Sequence, residues 1–360
     1  MTIAYFIAGL VFLVLGAELL VRGASRLAAA LGIPPLIIGL TVVAFGTSAP
    51  ELAVSVKAAL AGQAGIAVGN IVGSNIFNVL FILGISAMIV PLAVSKQLIK
   101  FDVPFMIFLS LSTLFFALDG YFSRVEGMIW LSGLIAYIAF LIYKGRQDNR
   151  QTATELDSEI AALLGDSTEK AAWLKNLGFI LVGLTLLVLG SRWLVDSAVI
   201  FAKDLGVSEV VIGLTIVAAG TSLPEVVTSI IAAIRGERDI AVGNVVGSNI
   251  FNIMAVLGIA SIVAPAGIPV EASTLRFDLP VMIGVALACL PIFFTGATIS
   301  RSEGGLLLAY YVAYTAYLVL AATSNPALDA FGKIMLYGAL PLTALGLMIF
   351  SLRQLRLSKA

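Results

Sequence analysis

One long segment of this chain occurs twice. GLTVVAFGTSAPELAVSV at 39–56 returns as GLTIVAAGTSLPEVVTSI at 213–230, and AVGNIVGSNIFNVLFILGI at 67–85 returns as AVGNVVGSNIFNIMAVLGI at 241–259. Both pairs keep the same offset of 174 residues, so a whole unit was duplicated. Shorter echoes, FDVP at 101 with FDLP at 277 and SRVEG at 123 with SRSEG at 300, have slightly larger offsets that mark small loop insertions.

The duplicated unit is built for lipid. The 360 residues are 60% hydrophobic and 12% charged, against about 25% charged in soluble domains, and a water-exposed fold cannot hide that much apolar surface. A membrane-spanning helix needs about 20 mostly apolar residues. Candidate spans fall near 3–21, 36–60, 66–90, 103–118 and 127–143, then near 176–194, 210–234, 241–264, 279–296 and 305–322, with one more near 333–351. The N-terminal run lacks the basic start of a signal peptide and reads as the first span.

The expected fold is therefore an all-α membrane protein of two five-helix repeats plus one extra C-terminal helix. Its divisions are a first repeat at 1–143, a linker at 144–175, a second repeat at 176–322 and the extra helix with a basic tail at 323–360. An odd number of spans per copy turns the second copy upside down. Inverted repeats are a common plan of secondary transporters, with the substrate site near the midplane where the copies meet. Most of the 21 basic residues, among them Arg22, Arg26, Lys96, Lys100 and Lys144, collect on one side. The positive-inside rule then puts the N-terminus outside and the linker and C-terminus inside, and the cytoplasmic membrane is the expected location.

Composition also excludes chemistry. With 21 basic and 21 acidic residues the net charge is zero, so no basic surface for nucleic acid is expected. The absence of histidine removes His-ligated zinc and Ser-His-Asp catalysis. Cys289 is the single cysteine, in an apolar stretch, and reads as packing. No HExxH, GxSxG or Asp dyad points to an intramembrane enzyme. A channel is a weaker reading, because channels usually gain symmetry from subunits around one axis. No cofactor is expected, and the oligomeric state stays open.

Two glutamates stand where charge is expensive. Glu51 and Glu225 lie inside apolar spans, at matching places in identical GTS-x-P-E contexts, and intramembrane carboxylates usually pair, face water or serve function. Pro50 and Pro224 precede them and each removes a helical hydrogen bond, while Gly46 and Gly220 loosen the same turn. Broken helices at this depth are tolerated where they line a polar cavity. Thr47, Ser48, Thr221 and Ser222 add hydroxyl oxygens. In the following span Asn70, Ser74 and Asn78 are spaced by four and form one polar stripe, as do Asn244, Ser248 and Asn252. Gly69 and Gly73, like Gly243 and Gly247, form small-xxx-small patterns for close helix approach. Carboxylate, hydroxyl and carbonyl oxygens together suit calcium or sodium.

These paired GTS-x-P-E and GN-xx-GSNIFN segments resemble the two α-repeats of sodium/calcium exchangers, within the cation/calcium antiporter superfamily. The resemblance spans both copies and the five-plus-five layout. It implies alternating access, with calcium and sodium as transported ions and three sodium ions exchanged for one calcium ion. It also implies that Glu51 and Glu225 are central calcium ligands shared with sodium. Thr47, Ser48, Ser74, Thr221, Ser222 and Ser248 match the family's oxygen ligands, and Ala44 and Ala218 match its carbonyl ligands for sodium.

Two departures stand out. Asn78 and Asn252 are both asparagine, where many relatives place one aspartate, so the cage carries two negative charges and potassium co-transport is disfavoured. The eleventh helix is absent from the ten-helix exchanger plan and present in some proton/calcium exchangers. Proton coupling is thus the alternative, since a desolvated glutamate can carry a proton.

Other charged residues have plainer readings. Glu18 and Arg192 occupy equivalent positions, but inversion sends them to opposite faces, so they are not expected to pair and each is expected to snorkel to the interface. Asp102 and Asp278 precede helix-starting Val103-Pro104 and Leu279-Pro280 and read as caps. Lys57 is expected to snorkel. The linker reads as a connector, with Leu156, Ile160 and Leu163 on one face of a short helix.

Overall fold

The computed structural model describes residues 2–31, 33–152, 166–204, 218–294 and 296–357. The chain runs α1 (Thr2–Leu31), α2 (Pro35–Thr47), α3 (Ala49–Leu60), α4 (Ala64–Ile89), α5 (Leu98–Asp119) and α6 (Arg124–Thr152). It continues through α7 (Asp166–Asp204), α8 (Leu223–Ile234), α9 (Arg238–Val263), α10 (Thr274–Phe294), α11 (Arg301–Ala322) and α12 (Ala327–Phe350). Among the described residues nine helices are long and apolar enough to cross a membrane, or ten when the pair α2–α3, bent by 46°, is one broken span. α8 is the second half of the span expected at 210–234; residues 205–217 lie outside the described residues, as do Leu156, Ile160 and Leu163 of the linker.

The duplication reaches each element. α3 and α8 are equivalent, as are α4 and α9, and α4 and α9 each widen into a π-helical stretch at the same place, Asn78–Leu83 and Asn252–Leu257. Four short strands make the inversion visible. β1 (Leu92–Ala93) pairs antiparallel with β4 (Thr298–Ile299), and β2 (Tyr121–Phe122) with β3 (Ile268–Pro269). β1 and β3 are equivalents, yet each pairs with the other strand type. One span separates β1 from β2, so the two ribbons cap opposite ends of the bundle. Copies running in the same direction would bring β1 and β3 to one end.

Packing follows the polarity of the surroundings. α4 and α9 are the most enclosed helices, whereas large apolar side chains such as Phe108, Phe115 and Val312 face outward. α1 and α7 lie against each other along most of their length. A Cβ on Gly16 would stand 2.8 Å from the carbonyl oxygen of Gly183, and one on Gly183 would stand 2.7 Å from that of Gly16. Only glycine permits backbones this close. Gly247 plays the same part for α9 against α2, its added Cβ meeting the Leu40 carbonyl at 2.8 Å.

Two expectations need correction. α5 begins at Leu98, ahead of the expected 103, because a π-helical turn, Leu98–Asp102, feeds straight into the helix. For that reason Asp102 has helical backbone angles and makes no capping bond. Its buried carboxylate accepts a hydrogen bond from the Tyr137 hydroxyl at 3.0 Å, and Asp278 accepts from Tyr314 at 2.9 Å. Glu18 finds partners other than Arg192. It pairs with Arg22 one turn along at 2.6 Å and accepts from Nε of Arg235 at 2.6 Å, while the neighbouring Ser25 hydroxyl donates to Glu237 at 2.6 Å. Lys57 is exposed at the end of α3 and Cys289 is buried, as expected.

The extra helix α12 lies at the periphery. The Tyr310 hydroxyl of α11 donates to the Ala339 carbonyl at 3.0 Å and lies 2.6 Å from the Thr343 hydroxyl.

Candidate cation site

The broken span sets the geometry of the site. Helix α2 stops at Thr47, Ser48 takes a non-helical ψ of 7°, and α3 restarts with Pro50 in its first turn. Ser222 repeats this with ψ of 7° ahead of Pro224. Proline at this place needs no N–H partner, because the first donors of a helix have none within it. The glutamates therefore sit in the first turns of α3 and α8, at helix N-termini. The positive end of the helix dipole favours a carboxylate there by roughly 0.3–1 kcal/mol.

The serine and glutamate stand three residues apart, which is the spacing of a local capping box. Ser300 and Glu303 form such a box at the start of α11. Ser48 and Ser222 form no side-chain cap; they exchange partners across the repeats. The Ser222 hydroxyl donates to Oε1 of Glu51 at 2.8 Å, and the Ser48 hydroxyl donates to Oε1 of Glu225 at 3.2 Å. Both glutamates are 1% exposed, and no Lys or Arg among the described residues forms an ion pair with either. Their Oε2 atoms are buried without a partner.

The polar stripes close around this pair. Thr47 lies 3.1 Å from Oδ1 of Asn244, and Thr221 donates to Oδ1 of Asn70 at 3.3 Å. Asn70 donates to Ser55 at 2.9 Å and Asn244 to Ser229 at 3.0 Å, while each also reaches the carbonyl of the glutamate in its own repeat. Ser74 lies 3.2 Å from the Ser222 hydroxyl. Ser248 is buried with its hydroxyl unpartnered, and so are the amide oxygens of Asn78 and Asn252. The Ala44 carbonyl accepts from the Ser48 N–H at 3.0 Å and lies 3.3 Å from the Thr47 hydroxyl. Ala218 opens the short helical turn Ala218–Gly220 at the edge of the described residues.

The structure thus brings buried Glu51, Glu225, Thr47, Ser48, Ser74 and Ser222 and half-buried Thr221 into one polar cluster. Desolvating two carboxylates costs several kcal/mol each, and a hydrogen bond to a charged group returns only about 1.5–3 kcal/mol. Hard-oxygen groups of this kind are the donor set that calcium or sodium prefers.

Sequence reasoning passed over Asn75 and Asn249. They lie one residue off the stripes, where α4 crosses α9; Asn75 accepts from Asn252 and Asn249 accepts from Asn78. Their signal was present, since both belong to the doubled GSNIFN segment.

The sequence pattern of the sodium/calcium exchanger protein family matches residues 1–143 and 175–320, which together cover both repeats. The chain belongs to the sodium/calcium exchanger family. It is accordingly a multi-pass membrane transporter of the cation/calcium antiporter class. The sodium/calcium exchanger MaX1 of Methanosarcina acetivorans is 35% identical over 338 residues, covering 86% of this chain and 96% of its own. The inner membrane protein YrbG of Escherichia coli K12 is 37% identical over 316 residues, covering 88% and 96%. A solved structure of the sodium-calcium exchanger NCX_Mj superposes with a TM-score of 0.74 at 31% identity, covering 88% of this chain and 97% of that one. The family match ends within α11, so α12 lies beyond it.

Proposed function

We propose that this exchanger couples sodium influx to calcium export, holding its cargo between Glu51 and Glu225. The observation that carries the reading is the pair of buried carboxylates, each with one oxygen hydrogen-bonded across the repeat interface and one without a partner. Two negative charges neutralise one calcium ion. Ser74, Ser248, Thr47, Ser48, Thr221, Ser222, Asn78 and Asn252 supply neutral oxygens, with Ala44 and Ala218 adding carbonyls for sodium. Sodium and calcium compete for the same glutamates, so each displaces the other, and the loaded bundle reorients.

With the N-terminus outside and the C-terminus inside, the linker and the Glu18–Arg235 pair face the cytoplasm. Calcium uptake into sodium-loaded proteoliposomes, measured under an outward sodium gradient and separately under a pH gradient, tests the coupling. Uptake under the sodium gradient supports the reading. Uptake driven by the pH gradient alone replaces it with proton coupling.

A further inference from the structure

The amide of Asn249 has a fixed orientation. Its Nδ2 donates to the backbone carbonyl of Asn75 at 3.3 Å, and a carbonyl can only accept. Turning the amide over would set two acceptors against each other. Its Oδ1 must therefore face Asn78, which donates Nδ2 to it at 3.0 Å. That commitment fixes Asn78 in turn, leaving its Oδ1 as the end without a partner, buried at 1% exposure.

The other copy repeats the relay. Asn75 donates to the Asn249 carbonyl at 3.4 Å, and its Oδ1 accepts from Asn252 at 3.0 Å. The Oδ1 of Asn252 is again the free end. Each free oxygen opens a π-helical stretch, Asn78–Leu83 or Asn252–Leu257. The glutamate-bearing helices pack on these stretches, α8 on the first and α3 on the second.

We infer that Asn75 and Asn249 are positioning residues that force Asn78 and Asn252 to present oxygen, and not N–H, to the cation. An asparagine in a cation cage has a wrong orientation as well as a right one, because a flipped amide would point two donors at a positive charge. Glutamate and serine carry no such ambiguity. The inference rests on the reading of Asn78 and Asn252 as ligands given above.

The test is a double-mutant cycle on calcium uptake in sodium-loaded proteoliposomes, with KM and turnover read separately. Asn249→Ala is expected to raise the KM for calcium by about 10- to 100-fold, the usual cost of losing a group that orients a ligand. Added to Asn78→Ala it should raise KM no further, since it acts through Asn78. The same fold loss in both backgrounds would make Asn249 a packing residue and overturn the inference. An Asn78→Ala variant with unchanged KM would instead overturn the ligand reading itself. Asn75→Ala with Asn252→Ala forms the second cycle, in which the same outcomes support or overturn the inference. Serine at 75 and 249, which keeps a hydroxyl donor for the facing carbonyl, takes the place of alanine where alanine variants do not fold.

Discussion

Ser222 of the second repeat donates its hydroxyl to Glu51 of the first at 2.8 Å. Ser48 returns the bond to Glu225. A local helix cap has been exchanged for a reciprocal contact between copies, so neither half of the chain completes the site alone. The same reciprocity joins Thr47 to Asn244 and Thr221 to Asn70. A cation held between these glutamates would therefore engage both repeats at once.

Replacing either carboxylate by its neutral isostere separates charge from shape. Glu51→Gln and Glu225→Gln should abolish calcium uptake while leaving the calcium-free protein at least as heat-stable as the parent, because a buried charge without a counter-ion has been removed. Calcium should raise the parent's Tm by mass action and leave the variants' Tm unchanged. Thermal unfolding in detergent with and without calcium reads both effects, and full exchange in either variant refutes the site.

Proline at the break should matter for transport more than for folding. Pro50→Ala supplies an N–H that can donate to the Gly46 carbonyl four residues back, favouring a continuous helix in place of the 46° bend. The expected result is an unchanged or higher Tm with calcium uptake lowered about 10- to 100-fold, the scale on which displaced ligands act. Normal uptake would show that the bend does not depend on the proline.

Much of this arrangement was legible from spacing alone, for a definite reason. Glu51, Glu225 and the GTS hydroxyls announce themselves as polar groups in apolar runs, and duplication doubles the signal. Asn70, Ser74 and Asn78 fall on one face by their spacing of four. What spacing could not show is contact between helices distant in sequence. Asn75 lies off the stripe and acquires its role only where α4 meets α9. Asp102 was misread because Pro104 looks like a helix start, whereas a π-helical turn upstream leaves no free first turn to cap. Glu18 found Arg235, more than two hundred residues away.

The α1–α7 pair offers a stability test with an internal control. Gly183→Ala drives a Cβ to within 2.7 Å of the Gly16 carbonyl, so the helices must separate. Overpacking of this kind costs about 1–3 kcal/mol. Gly178, on the same helix, has nothing within 4 Å of an added Cβ, and Gly178→Ala should be neutral or stabilise by up to about 1 kcal/mol. Thermal melts of the two variants should move in opposite directions or differ clearly in size. Equal shifts would mean that the close approach does not hold α1 to α7.

Membrane potential supplies the last check, on stoichiometry. Three sodium ions inward for one calcium ion outward move one net positive charge inward per cycle. A negative interior then favours calcium export by about 2.3 kcal/mol per 100 mV. Since about 1.4 kcal/mol is a factor of ten, the limiting calcium gradient should steepen by roughly 50-fold for each 100 mV. Proteoliposomes clamped with potassium and valinomycin at two potentials, under one fixed sodium gradient, measure this directly. A limiting gradient that ignores the potential would mean two sodium ions per calcium ion, which also matches the two formal charges of Glu51 and Glu225. A third sodium ion must be held by neutral oxygens alone, and Thr47, Thr221 and the carbonyls beside them are where its loss would be sought.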